Sequence, residues 1–289
     1  MKKFVLLSVL IGQMIMAAVD VKTAETQLVS EQLSKSRPII RGERHIVIVT
    51  CSYNNGLFYT WNIDSILNQK YSNYHVIYVD DCSEDKTFDL VQEYVQENGA
   101  EEKFVLIHNV ERKKALANLY TAIHMCKPTD IVVILDGDDR FASDVVLQRI
   151  NQAYADPAVW LTYGQFREHP SGEVGFCKAY PKDIIEKSGF RYYGPTPSHL
   201  RTFYAGLFHR IKIDDLMFQG QFFPVTYDLA IMFPLIEMAR DHHLFIDDIL
   251  VDYNSENPIN DHKVGKSLQR KFDLIIRART VYRPLDTLF

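Results

Sequence analysis

Cysteine is scarce in this sequence of 289 residues, which has four: Cys51, Cys82, Cys126 and Cys177. No two of them form the C-x-x-C pair that is typical of zinc sites, and their spacing does not indicate a dense disulfide framework. We therefore expect mostly free thiols. Cys51 and Cys82 could lie close together, because both come at the ends of predicted strands.

Positive charge is also in short supply, because 32 Lys and Arg face 37 Asp and Glu and leave a net charge of −5. This balance provides no basic field for nucleic acid, so we expect no nucleic-acid partner. An anionic ligand would have to be met by local cations, helix N-termini or a metal ion. The apolar fraction of 47% is enough for a sizeable core in one large or two small domains.

A long apolar run is missing too, because the stretch at residues 4–18 is shorter than the about 20 residues of a membrane-spanning helix. Two lysines precede it and the small residues Ala17 and Ala18 end it, which resembles a signal peptide. We expect residues 1–20 to be a signal peptide or membrane anchor and residues 21–43 to be a linker. The protein would then be exported, or membrane-associated through its N-terminus.

The remaining sequence alternates between apolar strands and helical segments. The predicted strands lie at 45–51, 74–80, 104–108, 130–135 and 160–166. The predicted helices between them lie at 57–68, 87–98, 115–126 and 144–155. This alternation predicts an α/β fold with a mostly parallel sheet. From 164 to 220 we predict loops and short helices, followed by an amphipathic helix at 227–240, two short strands within 244–253 and a final helix at 265–281.

Polar clusters follow three of the predicted strands: TCSYNN at 50–55, DDCSED at 80–85 and DGDD at 136–139. Ligands of parallel α/β sheets bind beyond the carboxyl ends of the strands, so we expect the three clusters to meet at one rim. Tyr53 could stack on a base there. Asp80 and Asp81 could accept hydrogen bonds from a nucleoside.

DGDD places three carboxylates at the end of the apolar run IVVIL. Asp136 and Asp138 point the same way in an extended chain, and Gly137 between them allows a ligand to approach closely. A divalent cation would relieve their repulsion, and oxygen ligands suit Mg²⁺ or Mn²⁺. D-x-D is a common pattern, and the alternative is a solvated turn in which Asp139 caps a helix.

The chain resembles the family 2 glycosyltransferases in three segments, IVIVTCSYNNGLFYTWNIDSILNQKYSNYHVIYVDDCSEDKT, RKKALANLYTAI and VVILDGDDRF, in that order. The resemblance implies the GT-A fold, a Rossmann-like and mostly parallel sheet flanked by helices, with an irregular acceptor-side C-terminal half. The domain would span 44–289. Its nucleotide-sugar-binding half would be 44–165, its acceptor and catalytic half 166–262, and its C-terminal helix 263–289.

The resemblance also implies a hexosyltransferase-type reaction. A sugar would move with inversion from a nucleotide-diphospho-sugar, which we expect to be a UDP-sugar, to an acceptor hydroxyl, with Mn²⁺ or Mg²⁺ as cofactor. The acceptor, whether glycan, lipid or protein, is left open. One alternative is a nucleotidylyltransferase acting on a sugar phosphate, although TCSYNNG lacks the basic residues of its Gly-rich loop. Another is a catalytically inactive sugar-nucleotide-binding relative, although the acidic positions are present.

The donor-binding residues implied by the resemblance are Thr50, Ser52, Tyr53, Asn54, Asp81, Lys114 and Asn118. Asp81 would bind the base or the ribose, and Lys114 and Asn118 would border the donor. Relatives often have a glycine where this chain has Lys113 and Lys114, so which of the two lysines meets the diphosphate is left open.

The implied metal ligands are Asp136 and Asp138, with Asp138 as the direct ligand and Asp136 facing the ribose or the cation's water. His262 lies in a late loop of the kind that closes over the donor in relatives, and could be a third ligand or a phosphate contact. His199 and Arg201, in PSHLRTF, could meet the diphosphate or the acceptor, although a lone histidine is more often structural.

An inverting transfer needs a general base for the acceptor hydroxyl. Asp228, in PVTYDLAIMF, matches the acidic residue that precedes an apolar helix in the family. The helix dipole also favours an acid in the first turn, so a structural role is the alternative. Glu237 lies deeper in that helix, and Asp214 and Asp215 lie in what resembles a surface turn.

The cellular location of the catalytic domain stays open in one respect. Nucleotide sugars are normally made in the cytoplasm, so an N-terminal anchor with a cytoplasmic catalytic domain also fits.

Overall fold

The computed structural model describes residues 42–194, 197–260 and 265–289, and its centre is a mixed sheet of eight strands. The strands in chain order are β1 (Ile46–Ser52), β2 (Tyr74–Asp80), β3 (Phe104–His108), β4 (Ile131–Ile134), β5 (Arg140–Phe141), β6 (Leu161–His169), β7 (Arg201–Tyr204), β8 (Met217–Phe218), β9 (Gln221–Phe222) and β10 (His243–Asn254). The sheet order is β3-β2-β1-β4-β7-β6-β10-β5, and β8 and β9 form a separate hairpin.

Helices connect the strands and cover the sheet. They are α1 (Tyr59–Leu67), α2 (Thr87–Glu97), α3 (Ala115–His124), α4 (Val146–Ala153), α5 (Lys182–Glu186), α6 (Ala205–Phe208), α7 (Tyr227–Ala239) and α8 (Lys266–Arg277). Short 3₁₀ turns lie at Glu101–Lys103, Phe190–Tyr192 and Ile213–Leu216. Gly99 follows the end of α2 with φ +59°, a left-handed angle that suits glycine at a helix end.

The first half of the sheet is parallel, as the sequence predicts. β1 lies between β2 and β4, with Ile46 opposite Tyr74 on one side and Ile131 on the other. The side chains of residues 46–49 in β1 are fully buried, because helices cover both faces of the sheet. Each fully buried side chain of this size contributes about 1.5–3 kcal/mol, so the β-branched runs stabilise this half strongly.

The second half of the sheet is mixed, and it contains a strand that the sequence does not predict. β7 runs antiparallel to both β4 and β6, within the segment expected to be loops and short helices. Its first residue, Arg201, lies opposite Ile134, the last residue of β4. Since β7 is antiparallel, its beginning lies at the carboxyl end of β4, and this places Arg201 beside the DGDD turn.

Two further predictions about the second half are corrected. β10 is one strand whose pairing with β6 shifts register between Ile246 and Val251, and Asp247 and Asp248 lie at this irregularity. Helix α7 is not amphipathic, because all its residues from Leu229 to Ala239 are buried. Helix α7 packs against β6, α6, α8 and two 3₁₀ turns. None of its faces from Leu229 to Ala239 is therefore exposed to water.

All four cysteines are free, as expected. Burial raises the pKa of the Cys177 thiol to about 11. Burial also raises the pKa of the Cys51 thiol well above its ordinary value, and the carboxylates of Asp136 and Asp81 add to this effect. These two thiols are therefore protonated at neutral pH and poor nucleophiles.

None of the helices in the described ranges is long and apolar enough to cross a membrane. This finding overturns the expected location as an exported or membrane-associated protein. The expected signal peptide or anchor, and the linker up to residue 41, lie outside the described residues. Glu43 belongs to the folded part, because its carboxylate accepts hydrogen bonds from Ser72 Oγ at 2.6 Å and from the backbone N–H of Asn73 at 3.1 Å.

Candidate active site

The carboxyl ends of β1, β2 and β4 meet at one rim of the sheet, as predicted. Backbone hydrogen bonds join the three polar clusters there: Asp81 N–H donates to Ser52 O at 2.8 Å, and Gly137 N–H donates to Cys51 O at 3.1 Å. A cavity of about 660 Å³ opens at this rim. The first and third clusters therefore line a site large enough for a small-molecule ligand.

The DGDD turn is held tightly against β1. A Cβ atom at Gly137 would lie 2.8 Å from Ser52 Cβ, a separation that side chains do not tolerate. Asn62 Nδ2 donates hydrogen bonds to the backbone oxygens of Asp136 at 3.0 Å and Asp139 at 2.8 Å. Glycine is therefore required at the centre of the turn, and the flanking carboxylates are held in place through the backbone.

Two of the carboxylates, those of Asp136 and Asp138, line the cavity. Both oxygens of Asp136 accept hydrogen bonds from the Tyr227 hydroxyl, at 2.7 and 2.6 Å. Asp138 Oδ2 accepts a hydrogen bond from Asn257 Nδ2 at 2.6 Å. Each carboxylate thus has one neutral donor, which fixes its direction without neutralising its charge.

The third carboxylate, that of Asp139, does not cap a helix, which corrects the alternative considered from the sequence. Asp139 is 1% exposed, and its Oδ1 accepts a hydrogen bond from the backbone N–H of Asn254 at 2.8 Å. Its Oδ2 has no hydrogen-bond partner among the described residues. One ligand atom each from Asp136, Asp139 and His199 lies within 4.8 Å of the others. The sequence missed Asp139 as a site residue, and the only signal was the third acid of the motif.

Burial raises the pKa of all three carboxyl groups. It raises the pKa of Asp138 to about 6, with repulsion from Asp136 as the second cause. It raises the pKa of Asp139 well above its ordinary value, with repulsion from Asp138 and Asp136 added. The pKa of Asp136 is also raised by burial, although the Arg201 guanidinium opposes this. Three crowded carboxylates and one unpartnered buried oxygen fit a hard divalent cation such as Mn²⁺ or Mg²⁺.

His199 is buried and neutral rather than paired as a cation. Burial lowers its pKa well below the ordinary value, and the nearby charge of Arg201 adds to this. Arg201 Nη2 lies 3.3 Å from His199 Nε2, and since arginine can only donate, Nε2 accepts and the ring proton is on Nδ1. Nδ1 lies 3.9 Å from Asp139 Oδ2, too far for a hydrogen bond. The expected third ligand, His262, lies outside the described residues.

Arg201 stands between the DGDD turn and the candidate base. It is 3% exposed, and its Nη1 donates to the Tyr227 hydroxyl at 3.3 Å. Its Nη2 lies 3.8 Å from Asp228 Oδ2. The Asp228 side chain is 35% exposed and lines the same cavity from the first turn of α7. The arrangement leaves Asp228 accessible to a ligand while a fixed cation lies beside it.

The other acids considered as base do not reach the cavity. Glu237 is fully buried and accepts a hydrogen bond from Arg191 Nη2 at 2.9 Å. Asp214 and Asp215 lie in the 3₁₀ turn Ile213–Leu216, where Asp215 Oδ2 accepts a hydrogen bond from the Tyr282 hydroxyl at 2.6 Å. Of the four candidates, Asp228 alone lines the cavity.

Most of the predicted donor-binding residues surround a second, smaller cavity of about 140 Å³ that shares a wall with the first. Its lining includes Ser52, Tyr53, Asp81, Lys114 and Asn118. Lys113 does not take part in this lining. The structure therefore brings together five of the seven residues that the resemblance implies.

The other two predicted donor residues are placed differently. Thr50 is fully buried and lines neither cavity, because it lies two residues before Ser52, roughly 7 Å deeper along β1. Asn54 uses its side chain within the protein: Oδ1 accepts a hydrogen bond from the backbone N–H of Glu84 at 2.8 Å. Asn54 thus holds the loop after β2 instead of lining either cavity.

Asp81 organises the loop before α3. Its carboxylate accepts hydrogen bonds from the backbone N–H groups of Lys113 and Lys114, both at 2.8 Å, and from Asn109 Nδ2 at 3.1 Å. Lys114 adopts a left-handed φ of +70° as a result of this tight turn. A carboxylate has about four acceptor positions, so one remains for a ligand.

Arg112 is a site residue that the sequence analysis did not single out. Its guanidinium carbon lies 3.5 Å from the centre of the Tyr53 ring, and both residues line both cavities. This cation–π contact covers one face of the aromatic ring that was expected to stack on a base. The only signal in the sequence was the basic run RKK after the third strand.

The sheet is Rossmann-like, and a ligand cavity at its carboxyl rim contains an acidic D-x-D turn. These features define the GT-A class of glycosyltransferase folds. The family model described as "Glycosyl transferase family 2" matches residues 47–216, more than half of the chain. The chain therefore belongs to glycosyl transferase family 2. The family and the fold implied by the sequence resemblance are thus confirmed.

Known proteins similar to this chain include TuaG of Bacillus subtilis (strain 168), a glycosyltransferase named for teichuronic acid biosynthesis. It is 28% identical over 99 residues, which cover 34% of this chain and 38% of TuaG. Among solved structures, S. aureus TarS 1-349 in complex with UDP has a TM-score of 0.55 at 15% identity and covers 73% of this chain and 60% of its own.

The mannosyltransferase PcManGT from Pyrobaculum calidifontis, in complex with GDP-Man and Mn²⁺, is similar over a larger part. Its TM-score is 0.56 at 18% identity, with 92% of this chain and 74% of the mannosyltransferase covered. At such identities the two solved structures establish the fold alone. The chain spans less than two thirds of the length of TuaG and of TarS.

Proposed function

We propose that this protein transfers a sugar, with inversion, from a nucleotide-diphospho-sugar to an acceptor hydroxyl, and that the donor is a UDP-sugar. The observation that supports this most directly is that Asp136, Asp138 and Asp228 line one cavity, which Arg201 also lines. The domain would divide into a nucleotide-sugar-binding half at 44–165, an acceptor and catalytic half at 166–262 and a C-terminal helix at 263–289.

The smaller cavity would hold the nucleoside. Tyr53, with Arg112 over one face, would pack beside the base, and the free acceptor position of Asp81 would take a base N–H or a ribose hydroxyl. Lys114 lines this cavity and Lys113 does not, so Lys114 would be the lysine that borders the donor. The TarS structure contains UDP and the mannosyltransferase structure contains GDP-Man, so both nucleosides belong in a test.

The DGDD turn would hold a divalent cation. Asp138 lines the cavity and Asp139 has an unpartnered buried oxygen, so these two carboxylates would be ligands, with Asp136 beside them under the Tyr227 hydroxyl. The cation would neutralise charge on the departing diphosphate. The structure groups His199 with two of these carboxylates, whereas the resemblance named His262.

Asp228 would act as the general base. It would accept the proton of the acceptor hydroxyl while that oxygen forms a bond to the anomeric carbon and the bond from this carbon to the diphosphate oxygen breaks. Attack from the face opposite to the diphosphate inverts the configuration. The partial exposure of Asp228 allows an acceptor to reach it.

The test is a screen of the purified protein, with Mn²⁺, for hydrolysis and transfer over a panel of UDP- and GDP-sugars, repeated with Asp228→Asn. Turnover should fall at least about a hundredfold in the variant, as expected for loss of a general base, while donor affinity is kept. Asp89→Asn is the matched control, because Asp89 is also an acid in the first turn of a helix but is exposed on α2.

The outcomes separate the alternatives. Normal turnover in Asp228→Asn would remove the base assignment. Release of pyrophosphate from a nucleoside triphosphate and a sugar phosphate would indicate a nucleotidylyltransferase. Tight donor binding with no turnover on any sugar would indicate an inactive binding relative.

A further inference from the structure

Helix α8 turns a polar face towards the large cavity. The cavity lining includes residues of this helix at positions 1, 4, 5, 8 and 12, which share one face: Lys266, Gln269, Arg270, Asp273 and Arg277. Phe272 and Ile276 are buried along one flank of this face. A surface helix usually turns such a face to bulk water, so its placement in a cavity wall requires a reason.

Two of the cations on this face have no partner in the part of the chain that the structure describes. Arg277 Nε pairs with Asp273 Oδ1 at 2.6 Å, whereas no hydrogen bond or ion pair joins the side chain of Lys266 or Arg270 to any described residue. Lys266 is also the first residue of the helix, where the helix dipole disfavours a cation. Within the described residues, neither charge therefore contributes to the stability of the helix through an ion pair.

The two free cations lie away from the nucleoside side of the site. None of the α8 residues contributes to the smaller cavity, whose lining holds most of the predicted donor residues. The large cavity also exposes apolar side chains: Phe176 is 60% exposed and Ile259 is 40% exposed. An exposed aromatic ring and two unpaired cations in one lining suit a sugar ring that carries negative charge.

The position of α8 is fixed relative to the candidate base. Arg191 is buried between the two helices, and its Nη2 donates to Glu237 Oε2 at 2.9 Å while its Nη1 donates to the backbone oxygen of Ile276 at 2.5 Å. Glu237 belongs to α7, the helix that begins at Tyr227 and carries Asp228 in its first turn. The Arg191 clamp thus ties the cationic face to the helix of the base, which suits recognition of the molecule that the base deprotonates.

We propose that the acceptor is an anionic sugar, and that Lys266 and Arg270 bind its phosphate or carboxylate group; this inference rests on the proposed glycosyl transfer. The two charges recognise the acceptor and not the donor diphosphate. Their contribution is electrostatic and therefore weakens as ionic strength rises.

The test compares glucose 6-phosphate, glucuronate and glucose, which share a ring and differ in carrying phosphate, carboxylate or no charge. Their binding is titrated with and without saturating UDP and Mn²⁺, for the wild type and for the double variant Lys266→Gln/Arg270→Gln. The matched control is Lys271→Gln/Arg283→Gln, which removes the same charge from exposed residues outside the cavity lining.

Binding of glucose 6-phosphate, glucuronate or both should weaken about tenfold in the cavity variant, with glucose and UDP affinities unchanged and the control variant equal to the wild type. The probe that responds more identifies the anionic group. An equal loss for glucose, no loss for either anion, or a parallel loss of UDP affinity would overturn the proposal. A wild type that binds no UDP would instead count against the proposed function, because the titrations without UDP still measure the cationic face.

Discussion

Replacing Asp138 by asparagine should stabilise the metal-free protein at neutral and alkaline pH. Burial and the neighbouring Asp136 raise the pKa of Asp138 to about 6 in the folded state. An unfolded chain has an Asp pKa of about 3.9, and one unit of difference corresponds to about 1.4 kcal/mol. Ionised Asp138 therefore lowers the free energy of unfolding by at most about 3 kcal/mol, and solvent at the partly exposed side chain reduces this value.

The sign of the pH dependence follows from the raised pKa. Well below pH 4 the carboxyl group is protonated in both states and has no effect on stability. Well above pH 6 it is ionised in both states and its full destabilisation is present. The advantage of Asp138→Asn should thus be complete at pH 8, about half as large at pH 5 and only about a sixth as large at pH 4. An asparagine can still accept the hydrogen bond from Asn257 Nδ2.

The assay is thermal unfolding in EDTA at these three pH values. A gain of about 1–3 kcal/mol corresponds to a rise in Tm of roughly 2–10 °C for a domain of this size. Asp248→Asn is the control, because Asp248 is an exposed carboxylate bonded to Arg149 and should change stability by about 0.5 kcal/mol or less.

Adding Mn²⁺ should reverse the order of stability. A ligand present at a hundred times its Kd stabilises the folded state by about 2.7 kcal/mol, and the variant should lose this gain with its metal ligand. Two results would refute the reasoning: a variant no more stable than the wild type in EDTA at pH 8, or a variant that gains as much stability from Mn²⁺ as the wild type does.

Three further substitutions test other parts of the site. Tyr227→Phe removes the hydroxyl that bonds both oxygens of Asp136, and kcat should fall about tenfold or more at nearly unchanged Tm; an unchanged kcat contradicts a role for this bond. Gly137→Ala places a Cβ 2.8 Å from Ser52 Cβ, so Mn²⁺-dependent UDP affinity should drop in a titration, and unaltered affinity would show that the turn tolerates the shift. Arg191→Met leaves a buried carboxylate unpaired and should cost about 3–5 kcal/mol in chemical denaturation; a loss below 1 kcal/mol would contradict the buried ion pair.

The parallel half of the fold could be predicted from the sequence because its determinants are local. The β-branched run in β1 and the equally apolar β2 indicate burial on both faces, and the polar residues that follow them mark the carboxyl rim. Asp136, Asp138 and Asp81 were found in this way. The position of Asp228 at a helix start was predicted for the same reason, since Asp228 directly precedes the apolar residues of α7.

The rest of the site depends on contacts between distant parts of the chain. β7 has only four residues, and its place in the sheet is set by pairing with β4 and β6, so the strand preference of RTFY is too short to be recognised locally. The burial of Asp139 depends on β10, which supplies the N–H of Asn254 from 115 positions away. The cation–π contact of Arg112 with Tyr53 likewise joins two loops that no local pattern connects.

The most direct test of the central claim is a calorimetric titration of the wild type with UDP and with GDP, each with Mn²⁺ and with EDTA. If the carboxylates of the DGDD turn hold a cation that binds the donor diphosphate, one of the two nucleotides should bind at least about tenfold more tightly with Mn²⁺. Equal affinity with Mn²⁺ and with EDTA, for the nucleotide that binds, would contradict the claim.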